Sequence, residues 1–146
     1  KPMTLRLAED KDAGLLYAWR NHPAIRQVSR SSEVIDRGRH EEWFFRVMHD
    51  DQRHLLVGLL GPQEVGVIRF DLNGQNAEIS LYLDPELKGQ GLGGALLDAG
   101  ECWLKDNYPN VKLLAADVLA GNIASEKLFE RFGYKRDMMR FVKRCD

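Results

Sequence analysis

The chain of 146 residues is 44% hydrophobic, which is enough for one domain with its own core. Its formal net charge of −1 at pH 7 excludes a bulk electrostatic attraction to nucleic acid or to a membrane surface, and no apolar segment reaches the roughly 18 residues of a membrane span. Two cysteines are too few for a disulfide framework and the four histidines show no metal-ligand spacing, so we expect a cytoplasmic protein without a metal.

We interpret residues 1–146 as a single domain that is trimmed or cut from a longer protein, because the sequence begins at Lys1 rather than at methionine. In chain order, hydrophobic periodicity predicts a strand at 3–7, a helix opened by residues 9–12, helices at 23–28 and 38–50, strands at 55–60, 64–72 and 77–83, a helix at 95–107, a strand at 113–118, a helix at 123–132 and a closing strand at 134–142. This order predicts an α/β fold.

A glycine-dense loop follows the predicted strand at residues 77–83. Residues 89–94 read Gly-Gln-Gly-Leu-Gly-Gly and run directly into a predicted helix. Glycine lets the backbone approach a ligand closely and adopt positive φ. The N–H groups of the loop and of the first helical turn can therefore converge on an anion. The loop predicts a phosphorylated cofactor.

Two cofactor classes are compatible with this loop. Gly89, Gly91 and Gly94 spell the G-x-G-x-x-G of a dinucleotide-binding fold, and Asp117 follows at about the spacing of its ribose-binding acid. In that fold, however, the first glycine follows its strand directly, whereas residues 84–88 intervene here and include a proline that cannot continue a central ladder. A dinucleotide-binding oxidoreductase is therefore the less favoured alternative.

The loop and a second block resemble the GCN5-related N-acetyltransferase (GNAT) family. The pyrophosphate loop of that family is Gln/Arg-x-x-Gly-x-Gly/Ala, and residues 88–93 match it with lysine in the first place. Residues 122–134 are similar to its later Asn-x-x-Ser/Ala-x-x-Leu-Tyr-Glu-x-x-Gly-Phe/Tyr segment. The resemblance covers residues 3–142. It implies the acyl-CoA N-acyltransferase fold, a mixed, mostly antiparallel sheet that is flanked by helices and splayed at the cofactor site between the strands ending at Leu83 and Val118.

The resemblance also implies that acetyl-CoA binds as a co-substrate. The backbone of Leu81 and Leu83 would pair with the pantetheine arm as an added strand does, and one of these N–H groups would polarise the thioester carbonyl. The remaining cofactor contacts that it implies come from the loop and the second block, namely Lys88, Gly89, Gln90, Gly91, Leu92, Gly93, Gly94, Asn122, Ser125 and Phe129.

The reaction of the family is direct attack of an amine on acetyl-CoA, which requires a base for the amine and favours an acid for the thiolate. Alternation places Glu78, Ser80 and Tyr82 on one face of their strand, and Glu78 lies where several members carry a base that acts through water. A solvated strand carboxylate is the alternative for Glu78. Phe129 occupies the position of the usual tyrosine acid and has no proton to give, so either Tyr82 or Tyr134 replaces it or the thiolate leaves unassisted.

The segment from Trp19 to Arg26 resembles a signature shared by two acetyltransferase subgroups. One acetylates nucleotide-linked amino sugars, including enzymes of the pseudaminic acid pathway, and the other acetylates ribosomal-protein N-termini. The resemblance implies that the acceptor side contains Trp19, Arg20, Asn21, Arg30 and Trp43. The arginines are suited to phosphates, although surface charge and core packing are the alternatives for the arginines and for Trp43.

The sequence thus predicts an acetyl-CoA-dependent N-acetyltransferase whose acceptor is the primary amine of a nucleotide-linked amino sugar. We expect a monomer or homodimer without nucleic acid or membrane partners. A protein α-amine is the second acceptor considered. A non-catalytic acyl-CoA sensor is a further alternative, because the usual tyrosine acid is replaced by Phe129.

Overall fold

A computed structural model of the chain describes residues 2–28, 32–87, 89–117, 122–137 and 140–145, with the backbone alone at residues 137 and 140. Its elements are β1 (Met3–Leu7), α1 (Ala13–Asn21), α2 (Pro23–Arg26), α3 (Arg37–Met48), β2 (Arg53–Leu60), β3 (Gln63–Asn73), β4 (Asn76–Leu83), α4 (Leu92–Asn107), β5 (Leu113–Asp117), α5 (Ile123–Arg131), β6 (Lys135–Asp137) and β7 (Arg140–Arg144). None of the helices in these ranges is both long enough and apolar enough to cross a bilayer.

The described strands form one seven-stranded sheet in the order β1-β2-β3-β4-β5-β7-β6. The first four are an antiparallel meander, with two-residue turns between Leu60 and Gln63 and between Asn73 and Asn76. β4 and β5 are parallel neighbours joined through α4. The predicted α/β class, with a mixed and mostly antiparallel sheet, is therefore confirmed.

The chain ends in a hairpin, and the prediction of one closing strand at residues 134–142 was wrong. β6 and β7 pair antiparallel from Lys135↔Val142 to Asp137↔Arg140. The two residues between the strands are both methionine, so the sequence lacked the glycine or asparagine that marks a tight reversal. β7 lies beside β5, and the short β6 forms the edge of the sheet.

Helices cover both faces of the sheet. On one face, strand residues such as Leu56, Ile68 and Ile79 pack with Leu96 and Leu97 of α4 and with residues of α5, and we call this the α4/α5 core. On the other face, Val57 and Val67 pack with residues of α1 and α3, and we call this the α1/α3 core; its members include Leu16, Trp19, Phe44 and Val47. β2 and β3 are thus buried on both sides in their middle parts, whereas β4 keeps exposed residues on the face of the α1/α3 core.

A buried carboxylate fixes the junction between β1 and α1. Asp12 is only 2% exposed, and it accepts hydrogen bonds from both terminal nitrogens of Arg6, at 2.7 and 2.9 Å. It also accepts the backbone N–H of Glu9 at 2.7 Å. Hydrogen bonding to Arg6 lowers the pKa of Asp12 in spite of the opposing effect of burial. The pair therefore ties the edge strand β1 to the start of α1.

Asp12→Asn should lower the free energy of unfolding at pH 7 by about 3 kcal/mol, because the partly buried Arg6 loses its counter-ion. The ionised Asp12 contributes its stability above the pKa of an unfolded aspartate, about 3.9, and this contribution is lost as the pH falls through the lowered folded pKa. In urea unfolding, the deficit of the variant should shrink toward about pH 3. Asp10→Asn alters an exposed carboxylate in the same turn, and an equal deficit in that control would contradict the role of the pair.

Candidate active site

The parallel ladder between β4 and β5 covers only the start of β4. Its rungs run from Asn76↔Leu113 to Glu78↔Ala115, whereas β4 stays in register with β3 as far as Gly66↔Leu83. Beyond Glu78 the described parts of β4 and β5 are no longer paired, and within the described ranges no strand pairs with this edge of residues 79–83; we call it the open edge. The predicted splay of the sheet is thus confirmed, and the strands part at residue 78.

The open edge carries the backbone N–H groups of Leu81 and Leu83. On the opposite side, the Asp84 N–H donates to the Val65 carbonyl at 2.8 Å and continues the ladder with β3. N–H groups alternate between the two edges of an extended strand. Since the N–H group of Asp84 points toward β3, the N–H groups of Leu81 and Leu83 point toward the opening. These two amides can pair with an extended ligand that lies along β4.

The N-terminus of α4 lies at the same end of the sheet as this opening, because β4, α4 and β5 form a βαβ unit whose helix starts at the carboxyl end of the first strand. Gly91 is the N-cap with φ 75°, and neither a side-chain cap nor an acidic first-turn residue is present in this described helix. The N–H groups of Leu92, Gly93 and Gly94 have no acceptor within the helix. Together they form a donor set for an anion.

Gly94 also serves the packing of α5 against α4. A Cβ at this position would lie 3.0 Å from Nη2 of Arg131, and a Cβ on Gly93 would lie 3.4 Å from a methyl group of Leu128. The glycines therefore allow the end of α5 to approach the first turn of α4. In the preceding loop, Gly89 and Gln90 are exposed. Lys88, also a predicted phosphate contact, lies outside the described residues.

The second block of the family resemblance builds the start and the packing of α5. The Asn122 side chain accepts the Ser125 N–H at 3.3 Å as the N-cap. Phe129 is 5% exposed and meets Tyr134 edge-on with the ring centroids 5.0 Å apart. The Tyr134 hydroxyl donates to Glu101 at 2.7 Å, and burial raises the pKa of Tyr134. Phe129 is thus a core residue, and the hydroxyl of Tyr134 is bound to α4.

Charged side chains occupy the same face of β3 and β4 as the α1/α3 core. Directly opposite residues of an antiparallel pair share a face, and the rungs on this face are Val67↔Tyr82, Arg69↔Ser80 and Asp71↔Glu78. The face therefore changes from an apolar core to a charged surface along the strands. Glu78 is exposed and belongs to the last rung before β4 and β5 part. We call the surface formed by Arg69, Asp71, Glu78, Ser80 and Trp43 the polar face.

Arg69 joins the strands of the polar face to α3. Its guanidinium donates to both oxygens of Asp71, at 3.0 and 3.2 Å, and it lies over the ring of Trp43 at 5.4 Å from the centroid. Trp43 is half-buried and packs against the α1/α3 core. It therefore forms a wall where the core ends and the charged surface begins.

Tyr82 lies at the boundary between the α1/α3 core and the polar face. Its ring meets Trp19 edge-on at a centroid distance of 6.4 Å. Burial raises the pKa of Tyr82, and the charges of Arg20 and Arg69 offset that rise only in part. The hydroxyl therefore keeps its proton at neutral pH. Trp19, predicted to contact the acceptor, is 6% exposed, so the structure places it beneath Tyr82 as support.

Asn21 connects the end of α1 to the segment before α3. Its amide nitrogen donates to the Ile35 carbonyl at 2.7 Å, and its amide oxygen accepts the Ile35 N–H at 2.8 Å. Both polar ends of the side chain are therefore used within the protein, and Asn21 acts as an anchor where the sequence predicted an acceptor contact. Arg30, also predicted on the acceptor side, lies outside the described residues.

Three residues near the polar face were not singled out from the sequence. Val67, Arg69 and Asp71 are two positions apart along β3, and this spacing predicts that their side chains lie on one face. His40 precedes Trp43, Phe44 and Val47 at helical spacing, which marks it as a residue of the buried side of α3. Within the described ranges, no three His, Cys, Asp or Glu side chains gather as metal ligands would.

Comparison with known proteins gives concordant matches. A profile of the acetyltransferase (GNAT) domain matches residues 3–135. The chain is 29% identical over 120 residues to acetyltransferase PseH of Campylobacter jejuni, covering 80% of this chain and 73% of that protein. It is 31% identical over 140 residues to the putative phosphinothricin acetyltransferase YwnH of Bacillus subtilis, covering 90% and 83%. A structure of AAC(6')-Ib with ribostamycin and coenzyme A superposes with a TM-score of 0.86 over 99% of this chain and 94% of that one; at 20% identity, this likeness shows the fold alone.

Proposed function

The chain belongs to the acetyltransferase (GNAT) family and is an acetyl-CoA-dependent N-acetyltransferase, and on that premise we propose that its acceptor is the primary amine of a nucleotide-linked amino sugar. The observation that carries the proposal is the polar face, where the carboxylates of Asp71 and Glu78 and the guanidinium of Arg69 lie on neighbouring rungs of β3 and β4, beside the open edge of β4. Family membership also removes the dinucleotide-binding oxidoreductase as an alternative.

The open edge and the start of α4 support the placement of acetyl-CoA. The Leu81 and Leu83 amides are proposed to donate to the pantetheine arm along β4, where it continues the sheet. The amides of residues 90–94 are proposed to bind the pyrophosphate, because a helix N-terminus favours anions. Lys88, Asn122 and Ser125 stay predicted contacts for the rest of the cofactor, whereas the burial of Phe129 limits that residue to packing behind the site.

The charges of the polar face support the proposed acceptor. Asp71 and Glu78 lie opposite each other on one rung of β3 and β4. Because Asp71 already accepts two hydrogen bonds from Arg69, Glu78 is the carboxylate proposed to attract a cationic amine. Arg69 follows the rung of Tyr82 along this face of β3, and the charges of Arg20 and Arg69 both lower the pKa of Tyr82, so we propose that the phosphates of the acceptor bind at this end of the face. Guanidinium groups suit phosphate geometry, so an acceptor with an amine at one end and a pyrophosphate at the other is complementary to this surface. The similarity to acetyltransferase PseH agrees with the amino-sugar signature at Trp19 to Arg26.

The proposed reaction begins with removal of a proton from the acceptor amine by Glu78, directly or through water. The amine nitrogen attacks the thioester carbonyl carbon, and the resulting oxyanion is stabilised by an N–H group at the open edge, from Leu81 or Leu83. The C–S bond then breaks, the thiolate leaves, and the nitrogen gives up its remaining extra proton to water, so that a neutral amide is formed. Since Tyr134 is bound to Glu101, Tyr82 is the hydroxyl proposed to protonate the thiolate, and solvent is the other proton source.

We further propose that the enzyme works in the cytoplasm. Cys102 and Cys145, both in the described part of the chain, form no disulfide, which suits a reducing compartment. The single-domain organisation over residues 1–146 and a monomeric or homodimeric state stay predictions.

The acceptor class is tested by measuring CoA release with UDP-glucosamine, free glucosamine, spermidine and a peptide with a free N-terminus. We expect the highest kcat/KM for UDP-glucosamine. Arg20→Ala should lower that value about 10- to 100-fold, as expected for loss of one charge-assisted hydrogen bond, and should leave the value for free glucosamine and the affinity for CoA unchanged. Arg46→Ala, an exposed arginine of α3, is the matched control. Highest activity on the peptide would replace the proposal with the protein-acceptor alternative.

Gly91→Ala should weaken CoA binding in calorimetry by about tenfold or more. An L-residue in the left-handed region costs roughly 1–2 kcal/mol, and the backbone rotation that relieves this strain changes the direction of the N–H groups in the first turn of α4. Gly74→Ala is the matched control, since Gly74 has φ 61° and lies in the β3–β4 turn, at the end of β4 opposite the opening. That control should lose stability and keep its CoA affinity. Unchanged CoA affinity in Gly91→Ala, or tight NAD binding by the parent, would refute the pyrophosphate assignment.

Glu78→Gln should lower kcat/KM by about 10²–10⁴, the usual range for a positioned base. An alkyl amine with a pKa near that of lysine, about 10.4, is almost fully protonated at neutral pH, so attack depends on deprotonation. The acidic limb of the pH–rate profile should also flatten. Glu86→Gln, an exposed carboxylate beyond the end of β4, should retain the parental profile. Full activity of Glu78→Gln at every pH would move the base to another group.

A further inference from the structure

His40 is a buried histidine with an unsatisfied ring nitrogen. The residue is 3% exposed, and its Nδ1 has no hydrogen-bond partner among the described residues. Buried polar atoms of native proteins are nearly always hydrogen-bonded, and a phenylalanine would fill a similar volume without an unpaired nitrogen. An imidazole at this position therefore calls for a functional explanation.

The ring of His40 lies between α1 and α3. Its centroid is 5.3 Å from that of Tyr17 on α1 and 5.5 Å from that of Trp43 on its own helix. It also stacks on Phe44 of the α1/α3 core at 6.4 Å. Trp43 in turn lies beneath the guanidinium of Arg69. His40 thus connects α1 to the side chain that forms the wall of the polar face.

The surroundings of His40 oppose a second proton on the ring. Burial lowers the pKa of His40 most, the positive charge of Arg20 on α1 lowers it further, and Glu41 on α3 opposes both only in part. Arg37 and Tyr17 line a small space beside the ring, and Arg69 from the sheet lies beyond Trp43. That space, about 30 Å³, holds one or two waters at most. Glu41 also lines this space and is paired with Arg37 at 3.3 Å, so Arg20 is the positive charge that opposes protonation. An imidazolium would therefore be poorly solvated beside the charge of Arg20.

We propose that neutral His40 is a positioning residue of the acceptor side, which holds Trp43 against α1 and releases it when the ring is protonated. Acceptor binding should then weaken in acid, while CoA binding, which involves β4 and α4, should not respond. The effect on the acceptor rests on the proposed function. The link between His40 and Trp43 is independent of the proposed function, because it concerns side-chain packing in the enzyme without substrate.

His54 provides a matched control. Its Nε2 is also buried without a partner in the described part of the protein, and burial lowers the pKa of His54 as well. Its ring packs on Tyr108 and Trp103, with centroids 4.8 and 5.7 Å away. Its rung partner Phe70 belongs to the α4/α5 core, so His54 lies on the face of the sheet opposite Trp43. It shares the chemistry of His40 and not its position.

The first test follows the histidine and tryptophan side-chain NMR signals from pH 5 to pH 8, with the Trp43 indole assigned through Trp43→Phe. We expect the Trp43 indole N–H shift to follow the titration of His40 with the same midpoint, below the ordinary value of about 6.5. The shift should become independent of pH in His40→Phe and persist in His54→Phe. Separate midpoints in the parent would overturn the proposal, and this parental comparison is decisive even where His40→Phe does not fold.

The second test measures binding of UDP-N-acetylglucosamine to the CoA-loaded enzyme by calorimetry, because this probe has no amine to react and no group that titrates in this range. Its Kd should rise by up to about tenfold per pH unit below the His40 midpoint. This rise should be absent in His40→Phe and retained in His54→Phe. A Kd that is independent of pH in the parent would overturn the positioning role. Absence of binding at pH 7.5 would count against the nucleotide-sugar acceptor, and the NMR titration would still decide the link between His40 and Trp43.

Discussion

The short ladder between β4 and β5 is the constraint on which the rest of this structure depends. β4 is hydrogen-bonded to β3 along its whole length, whereas its described pairing with β5 stops at Glu78. An extended strand with one open edge presents backbone amides that an extended ligand can satisfy. Because α4 starts at the same end of the sheet, we propose that the amides of the open edge and those of the helix N-terminus bind one elongated, anionic cofactor.

A single strand performs three tasks because its groups point in different directions. The side chains of Leu81 and Leu83 pack against the α4/α5 core, which fixes the strand in place. Their N–H groups point sideways into the opening, as the bond from Asp84 to Val65 requires. Tyr82 packs from the other face against the α1/α3 core, and Glu78 lies exposed on the same face. The proposed cofactor and acceptor sites thus meet at β4, separated by the pleat of one strand.

Side-chain hydrogen bonds fasten the elements that surround β4. On the α1/α3 side, Arg6 binds Asp12 and Asn21 binds the backbone of Ile35. On the α4/α5 side, Glu101 of α4 accepts hydrogen bonds from Tyr134 at 2.7 Å and from Lys143 of β7 at 2.9 Å. These bonds are partly shielded from water, where they are worth more than surface pairs. The proposed site therefore lies on a rigid frame, as the alignment of several reacting groups requires.

The sequence by itself determined the features that depend on neighbouring residues. Alternation along residues 77–83 predicted which side chains share a face of β4, and Asn73 and Gly74 predicted the β3–β4 turn. The glycines from Gly89 to Gly94 predicted that a helix follows the loop; it begins at Leu92 rather than at the predicted residue 95, after Gly91 with positive φ. Only the tertiary structure decided that Phe129 and Trp19 are buried, that Asn21 binds Ile35, and that residues 135–144 form two strands rather than one. It also brought His40 against Tyr17. Periodicity and turn residues are local properties of the chain, whereas burial and hydrogen-bond partners depend on which distant segments meet when both faces of the sheet are covered.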